Sequence, residues 1–118
     1  MNWFNELPTI YLHRTPVDFR KAVNGLCGLV QDELEMNPFD ESLYVFCNRQ
    51  RDRIKILHWD KTGFVLWYKR LEKAKFKWPI DDLETVIQVD EQSLNWLLTG
   101  LTIRPPEPHK TLHYQPFG

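Results

Sequence analysis

Long apolar runs and a secretory leader are both missing from this sequence. None of its 118 residues fall in an apolar run long enough to span a membrane, and the opening MNWFNELPTI has neither a basic region nor an apolar stretch. We therefore expect a cytoplasmic protein with no membrane partner. A chain of this length buries one core, so we expect a single domain over 1–103. The Pro-rich tail 104–118, RPPEPHKTLHYQPFG, is predicted to be flexible.

Cysteine is scarce, which limits metal and redox chemistry. Cys27 and Cys47 are the only two, and neither belongs to a CxxC pair or lies near a matching histidine pair. We predict two buried free thiols. His109 and His113 have the four-residue spacing of metal ligands, but they lie in the tail without a third ligand. We predict no metal site and no cofactor.

Catalytic signatures are absent as well. The sequence contains no nucleophile elbow, zinc-protease motif, phosphate loop or dinucleotide fingerprint. Two-metal phosphoryl transfer needs several carboxylates on one rigid frame. Asp18 is predicted to cap a helix, Asp60 to form a turn, and Asp81 and Asp82 to lie in a connection, while His58 is typical of a core or rim histidine. We predict no catalytic residue and no enzymatic activity.

Charge is not scarce, but it is unevenly placed. The net charge is −1, yet residues 49–77 hold ten Lys or Arg against three acidic residues, a balance of +7 that the flanks offset with −8. The same segment is rich in aromatic and β-branched residues. It is therefore basic and strongly sheet-forming at once.

The first half of the chain predicts a strand followed by a helix. Ile10 and Leu12 indicate the strand, and RTPVDFRK indicates a helix start with Thr15 as cap. The helix is predicted over 16–34, with one buried stripe at Phe19, Val23, Leu26, Val30 and Leu34. Gly25 and Gly28 beside that stripe are expected to let the helix lie close to a sheet.

The second half predicts several strands and a last helix. Strands are expected at 42–47, 53–59, 64–71, 74–78 and 85–89, with 60–63 as a hairpin turn. Asp90 should cap the final helix, and Gly100 should end it. This order predicts an α+β domain with a mainly antiparallel sheet and two helices packed on one face.

The hairpin turn fixes which side chains share a face of the sheet. It places Arg53 opposite Arg70 and Lys55 opposite Tyr68, and alternation extends the same face along both neighbouring segments. The predicted nucleic-acid-binding residues are Arg51, Arg53, Lys55, Tyr68, Arg70, Lys73, Lys75 and Lys77. Aromatics interleaved with cations suit stacking and phosphate contact. Two alternatives stay open on the residues alone: a merely solvated face, and a surface for an acidic protein partner.

Three stretches carry a resemblance to a known family. TPVDFRKAVNGLCGLVQDEL, RDRIKILHWDKTG and KRLEKAKFKWP are similar to the small accessory protein, TnpB or second-frame protein, of the bacterial insertion sequences of the sixty-six family. The resemblance covers roughly residues 8–90, and it departs at His58, where the family often has tryptophan, and at the turn residues Lys61 and Thr62. It implies a non-catalytic protein that works beside a larger transposase. DNA is the expected partner of the basic face, and the alternative is an adaptor that docks on the transposase or on another protein of the element.

Overall fold

One five-stranded sheet organises the chain. The structure, a computed structural model, describes residues 8–100. Its elements are β1 Ile10–His13, α1 Val23–Asp32, β2 Leu43–Cys47, β3 Arg53–Asp60, β4 Gly63–Arg70, β5 Val86–Val89 and α2 Glu91–Leu98. The strand order is β4-β3-β2-β1-β5, in which only β1 and β2 pair in parallel. The predicted α+β class with a mainly antiparallel sheet is confirmed, whereas the tail 104–118 lies outside the described residues.

The two helices cover opposite faces of the sheet, which corrects the prediction that both pack on one face. Leu26 and Val30 of α1 pack with Tyr44 and Phe46 of β2. On the other side, a second cluster joins α2 to the alternate strand residues, among them Leu43, Val45, Ile54, Ile56, Leu94 and Leu97. Every residue of β2 is buried, because an apolar run such as LYVFC suits a strand that is covered on both faces.

Helix α1 begins later than predicted. Its N-cap is Ala22, without a side-chain cap, so the predicted capping box at Thr15 is wrong. Asp18 instead accepts hydrogen bonds from the backbone N–H of Arg20 at 2.9 Å and from its guanidinium at 2.6 Å. This local bonding competes with the helix, and segment 14–22 stays irregular. The predicted stripe from Phe19 to Leu34 nevertheless does pack in the α1 core.

The β3–β4 hairpin has the predicted register. Arg53 pairs with Arg70, Lys55 with Tyr68, and Asp60 with Gly63 at the turn. The register is confirmed because the turn and the alternation of side chains both specify it. At the far end of the chain, Asp90 accepts a hydrogen bond from the backbone N–H of Ser93 at 2.8 Å, which confirms the predicted cap of α2.

Segment 74–78 is not the predicted strand. The N–H of Phe76 donates to the carbonyl of Arg51 at 2.6 Å, while the N–H of Trp78 donates to the carbonyl of Phe76 at 2.9 Å. The first bond runs to the β2–β3 turn and the second spans only two residues, so the segment forms no regular strand ladder. Phe76 and Trp78 are buried all the same, and the Trp78 indole N–H donates to the carbonyl of Arg14 at 2.8 Å.

Two further predictions about small residues need correction. A Cβ at Gly25 would meet the side chain of Lys21 at 3.1 Å, and a Cβ at Gly28 would meet nothing within 4 Å. Neither glycine is therefore needed for close packing on the sheet. Both cysteines are free, as predicted, but only Cys47 is buried, and Cys27 is half-exposed. Within residues 8–100, no helix has the length and apolar character needed to cross a membrane.

Candidate nucleic-acid interface

Most of the predicted binding residues gather at one end of the sheet. There the β2–β3 turn lies beside the segment that follows β4, and two backbone hydrogen bonds join them: Leu71 N–H to Asp52 O at 2.8 Å and Phe76 N–H to Arg51 O at 2.6 Å. We call this region the basic end; it comprises Arg49, Arg51, Arg53, Arg70, Lys73, Lys75 and Lys77. The two bonds thus bring the β2–β3 turn next to the segment that follows β4, although the two are far apart in sequence.

The β2–β3 turn is held rigidly by Asn48. Its side-chain oxygen accepts from the backbone N–H of Asp52 at 3.1 Å and of Arg53 at 3.0 Å, and its amide donates to the Asp52 carboxylate at 2.7 Å. Arg51 takes a left-handed backbone conformation with φ of 62° to close the turn. The arginines of the turn therefore start from a fixed backbone, which limits the entropy lost when they bind.

The lysines of the basic end point into solvent. Lys73, Lys75 and Lys77 are exposed, whereas Phe76 and Trp78, on either side of Lys77, are buried and anchor the segment in the core beneath α2. Among the described residues, none of the three ammonium groups has a hydrogen-bond or ion-pair partner. They are available to an external anion.

Lys55 has a different role from the one predicted. Its ammonium donates to the carbonyls of Phe19 at 2.9 Å and Lys21 at 2.8 Å, and it lies 4.9 Å from the centre of the Phe19 ring. Burial lowers the pKa of this amine. The side chain holds the segment before α1 on the sheet, so its ammonium is not one of the unpartnered cations of the basic end.

The cross-strand pair of arginines is unequally compensated. Arg70 donates to the Glu72 carboxylate at 2.8 Å, and this hydrogen bond raises the pKa of the guanidinium. Arg53 has no such partner within residues 8–100, and its Nε is buried without a hydrogen bond. Tyr68, opposite Lys55, is half-exposed and places its ring on the same face.

Two basic residues matter here that the predicted set omits. Arg20 and Arg49 lie near Arg53, because the segment before α1 passes the β2–β3 turn, with Val17 N–H donating to Cys47 O at 2.9 Å. The alternation of side chains could have identified Arg49, since it is in phase with Arg51 and Arg53. Arg20 was not, because its position depends on a contact between distant parts of the chain.

The carboxylates do not converge. Asp18 pairs with Arg20, whose hydrogen bond lowers its pKa to about 2; Asp60 lies at the hairpin turn, and Asp81 and Asp82 lie in the connection to β5. Within residues 8–100, no three His, Cys, Asp or Glu side chains come together as a metal site. His58 is buried on the α2 face, with Nδ1 at 3.3 Å from the Ser42 carbonyl. His109 and His113 lie outside the described residues.

Comparison with known proteins gives one family and two relatives. The family model described as IS66 Orf2-like protein matches residues 8–108. Two uncharacterized proteins of Sinorhizobium fredii (strain NBRC 101917 / NGR234) are similar to the chain: y4jC is 41% identical over 87 residues, 73% of each chain. The other, y4hO, is 33% identical over 90 residues, 76% of this chain and 77% of that protein. No solved structure matches the chain.

Proposed function

The chain belongs to the family of IS66 Orf2-like proteins, accessory proteins of insertion sequences, and we propose that it contacts the DNA backbone through its basic end without cutting or joining strands. The observation that carries this proposal is the row of three lysines with no partner among the described residues, beside the arginines of a rigid turn. Segments 49–53 and 70–77 carry seven basic residues and two acidic ones, Asp52 and Glu72. Both acids are already bonded, to Asn48 and Arg70 respectively.

Such a surface favours phosphate contact over base readout. Lysine ammonium groups and arginines contact phosphate oxygens irrespective of sequence, whereas base readout needs a helix or ribbon that enters a groove. Within residues 8–100, no helix carries these cations; they belong to the β2–β3 turn, to the adjoining ends of β3 and β4, and to an irregular segment. We therefore expect binding with little sequence preference and with a strong dependence on salt.

Anisotropy titration of labelled duplex and single-stranded DNA tests the proposal. Log affinity should fall linearly with log salt, at about −0.9 per phosphate neutralised on duplex. Replacing Lys73, Lys75 and Lys77 with Gln should reduce that slope by about 3, because each phosphate contact contributes about 1. Lys61→Gln, at the opposite end of the hairpin, is the control and should leave the slope unchanged. A wild-type affinity that does not respond to salt would refute DNA backbone contact.

The alternative function is an adaptor that presents the same cations to acidic residues of the transposase or of another protein of the element. The loop between β4 and β5 is consistent with protein contact, because Leu83 is 93% exposed and Ile80 is 48% exposed. An adaptor predicts that the purified transposase is retained by the wild-type protein, and less by the triple lysine variant, while DNA is bound weakly or not at all.

The non-catalytic part of the proposal has its own test. The purified protein with Mg²⁺ or Mn²⁺ should neither nick nor join DNA, because two-metal chemistry needs carboxylates that converge. Cleavage by the wild type, together with its loss in a folded Asp60→Asn variant, would overturn this part and establish an enzyme.

A further inference from the structure

A cleft lined by several arginines lies beside the basic end. One wall is the irregular segment 16–20 before α1, and the other is formed by the β2–β3 turn at 48–50 with Arg53. The enclosed volume is about 480 Å³, which is within the range of small-molecule sites. Three arginines line it, Arg20, Arg49 and Arg53, and Asp18 is its one acidic residue.

Both walls are held in place by hydrogen bonds of the residues that form them. Val17 N–H donates to the carbonyl of Cys47 at 2.9 Å, and the Lys55 ammonium holds the carbonyl of Phe19 at 2.9 Å. On the opposite wall, the side-chain oxygen of Asn48 accepts from the backbone of Arg53 at 3.0 Å. A ligand would meet a preformed site.

The charges in the cleft are not balanced. Asp18 is engaged by Arg20 in a bidentate pair at 2.6–3.1 Å, so that it is not available to the other two arginines. Arg49 is exposed, with no ion-pair partner among residues 8–100. Arg53 has a buried Nε without an acceptor. Glu72, two residues after Arg70, is bonded to that arginine.

We propose that this cleft binds a phosphate group, with Arg49 and Arg53 as its ligands. The planar guanidinium presents paired N–H donors that match phosphate oxygens, and two such groups balance a phosphate monoester dianion. That the phosphate belongs to DNA rests on the proposed function, which this inference deepens. The site fits the terminal phosphate of a DNA strand, and free phosphate has the same chemistry.

The first experiment uses inorganic phosphate as the probe. Thermal unfolding is followed with increasing phosphate, against sodium chloride at equal ionic strength. The wild type should be stabilised by phosphate beyond the chloride control, because a ligand that binds only the folded state raises the melting temperature. Arg49→Gln, an exposed position, should keep the chloride melting curve and lose the additional stabilisation; Arg53→Lys should reduce it by removing the fork but not the charge. Lys75→Gln should retain it.

The second experiment separates the sources of phosphate. Single-stranded oligonucleotides with a 5′-phosphate should bind the wild type roughly tenfold more tightly than the same strands with a 5′-hydroxyl, as expected for one charge-assisted contact. The ratio should fall to about one in Arg49→Gln and be unchanged in Lys75→Gln. Stabilisation by inorganic phosphate without any 5′-phosphate preference would support the cleft with free phosphate as its ligand.

The two proposals fail in different ways. No stabilisation by phosphate beyond chloride, and no 5′-phosphate preference, would overturn the cleft even if duplex DNA binds with a steep salt slope. A flat salt slope with phosphate stabilisation intact would refute the DNA contact and leave the cleft.

Discussion

Replacing Lys55 with Met separates the structural from the DNA-binding interpretation of the sheet-borne cations. Methionine keeps an unbranched apolar chain of similar length but removes the ammonium that bonds the carbonyls of Phe19 and Lys21. We expect this change to reduce the free energy of unfolding, because the segment before α1 would lose its attachment to β3. DNA binding by folded protein should change less than it does in Lys75→Met.

The magnitude follows from the contacts that are lost. A hydrogen bond to a charged group contributes about 1.5–3 kcal/mol, and an ammonium over an aromatic ring about 0.5–1 kcal/mol where water has access. The bond to Lys21 O is exposed to solvent, which screens it, so its contribution to stability is small. The bond to Phe19 O is partly buried and contributes more. Together these give a loss of about 2–4 kcal/mol for Lys55→Met.

Urea unfolding followed by circular dichroism measures this loss as a lower midpoint at an unchanged slope. Lys75→Met is the matched control, because Lys75 is exposed and its ammonium has no hydrogen-bond or ion-pair partner within the described residues; its stability should stay within about 0.5 kcal/mol of the wild type. If Lys55→Met unfolds at the wild-type urea concentration while its DNA affinity falls as far as that of Lys75→Met, the structural role of Lys55 is refuted.

Three further predictions concern stability and reactivity. Gly28→Ala should raise the free energy of unfolding by about 0.5–1 kcal/mol in urea titration, because a Cβ there meets nothing within 4 Å; a loss would contradict this. Asp90→Ala should cost about 1 kcal/mol and Asp90→Asn much less. The hydrogen bond from the Ser93 backbone lowers the pKa of Asp90. The stabilisation that depends on the charge of Asp90 is therefore complete above the ordinary pKa range of aspartate and is lost as pH falls through the lowered pKa. If the wild type gained stability over Asp90→Asn as the pH fell, this sign would be refuted. Burial raises the pKa of Cys47 to about 12, so a disulfide reagent at pH 8 should label Cys47 only after unfolding; rapid labelling of both thiols in the native protein would contradict that burial.

Local rules predicted the elements that depend on neighbours in sequence. The hairpin register needed only a turn at 60–63 and the period-two alternation of its strands. The cap of α2 needed only Asp90 followed by Ser93. The part of the buried stripe that lies in α1, at Val23, Leu26 and Val30, needed only the helical period. In each case the information lies within a few residues of the structure it specifies.

Predictions were wrong where a local hydrogen bond or a distant contact competed with the element that the sequence pattern favours. Thr15 and Pro16 favour a helix start. The side chain of Asp18 instead accepts a hydrogen bond from the backbone N–H of Arg20, and the helix begins only at Val23. The opposite placement of the two helices was accessible in principle, since LYVFC is apolar at every position and must be covered on both sides. Alternation identified the two faces of β3 and β4 correctly, but it carries no information about which helix covers which face.

In the candidate site too, the sequence pattern did not show which cations have hydrogen-bond partners inside the protein. The packing of the helices on the sheet explains which ones do. Lys55 on β3 bonds two carbonyls before α1, and Lys69 on β4 bonds the Leu98 carbonyl at the C-terminus of α2 at 2.8 Å, where a positive charge is favoured by the helix dipole. Each strand-borne lysine lies under a helix on its own face, so backbone carbonyls of that helix or its flanking segment compete with external anions for it. Lys73, Lys75 and Lys77 belong to the segment that follows β4, and their ammonium groups have no hydrogen-bond or ion-pair partner among residues 8–100. The DNA-binding hypothesis therefore depends on cations that lie outside the regular strands, and the strand lysines are the ones that hold the fold together.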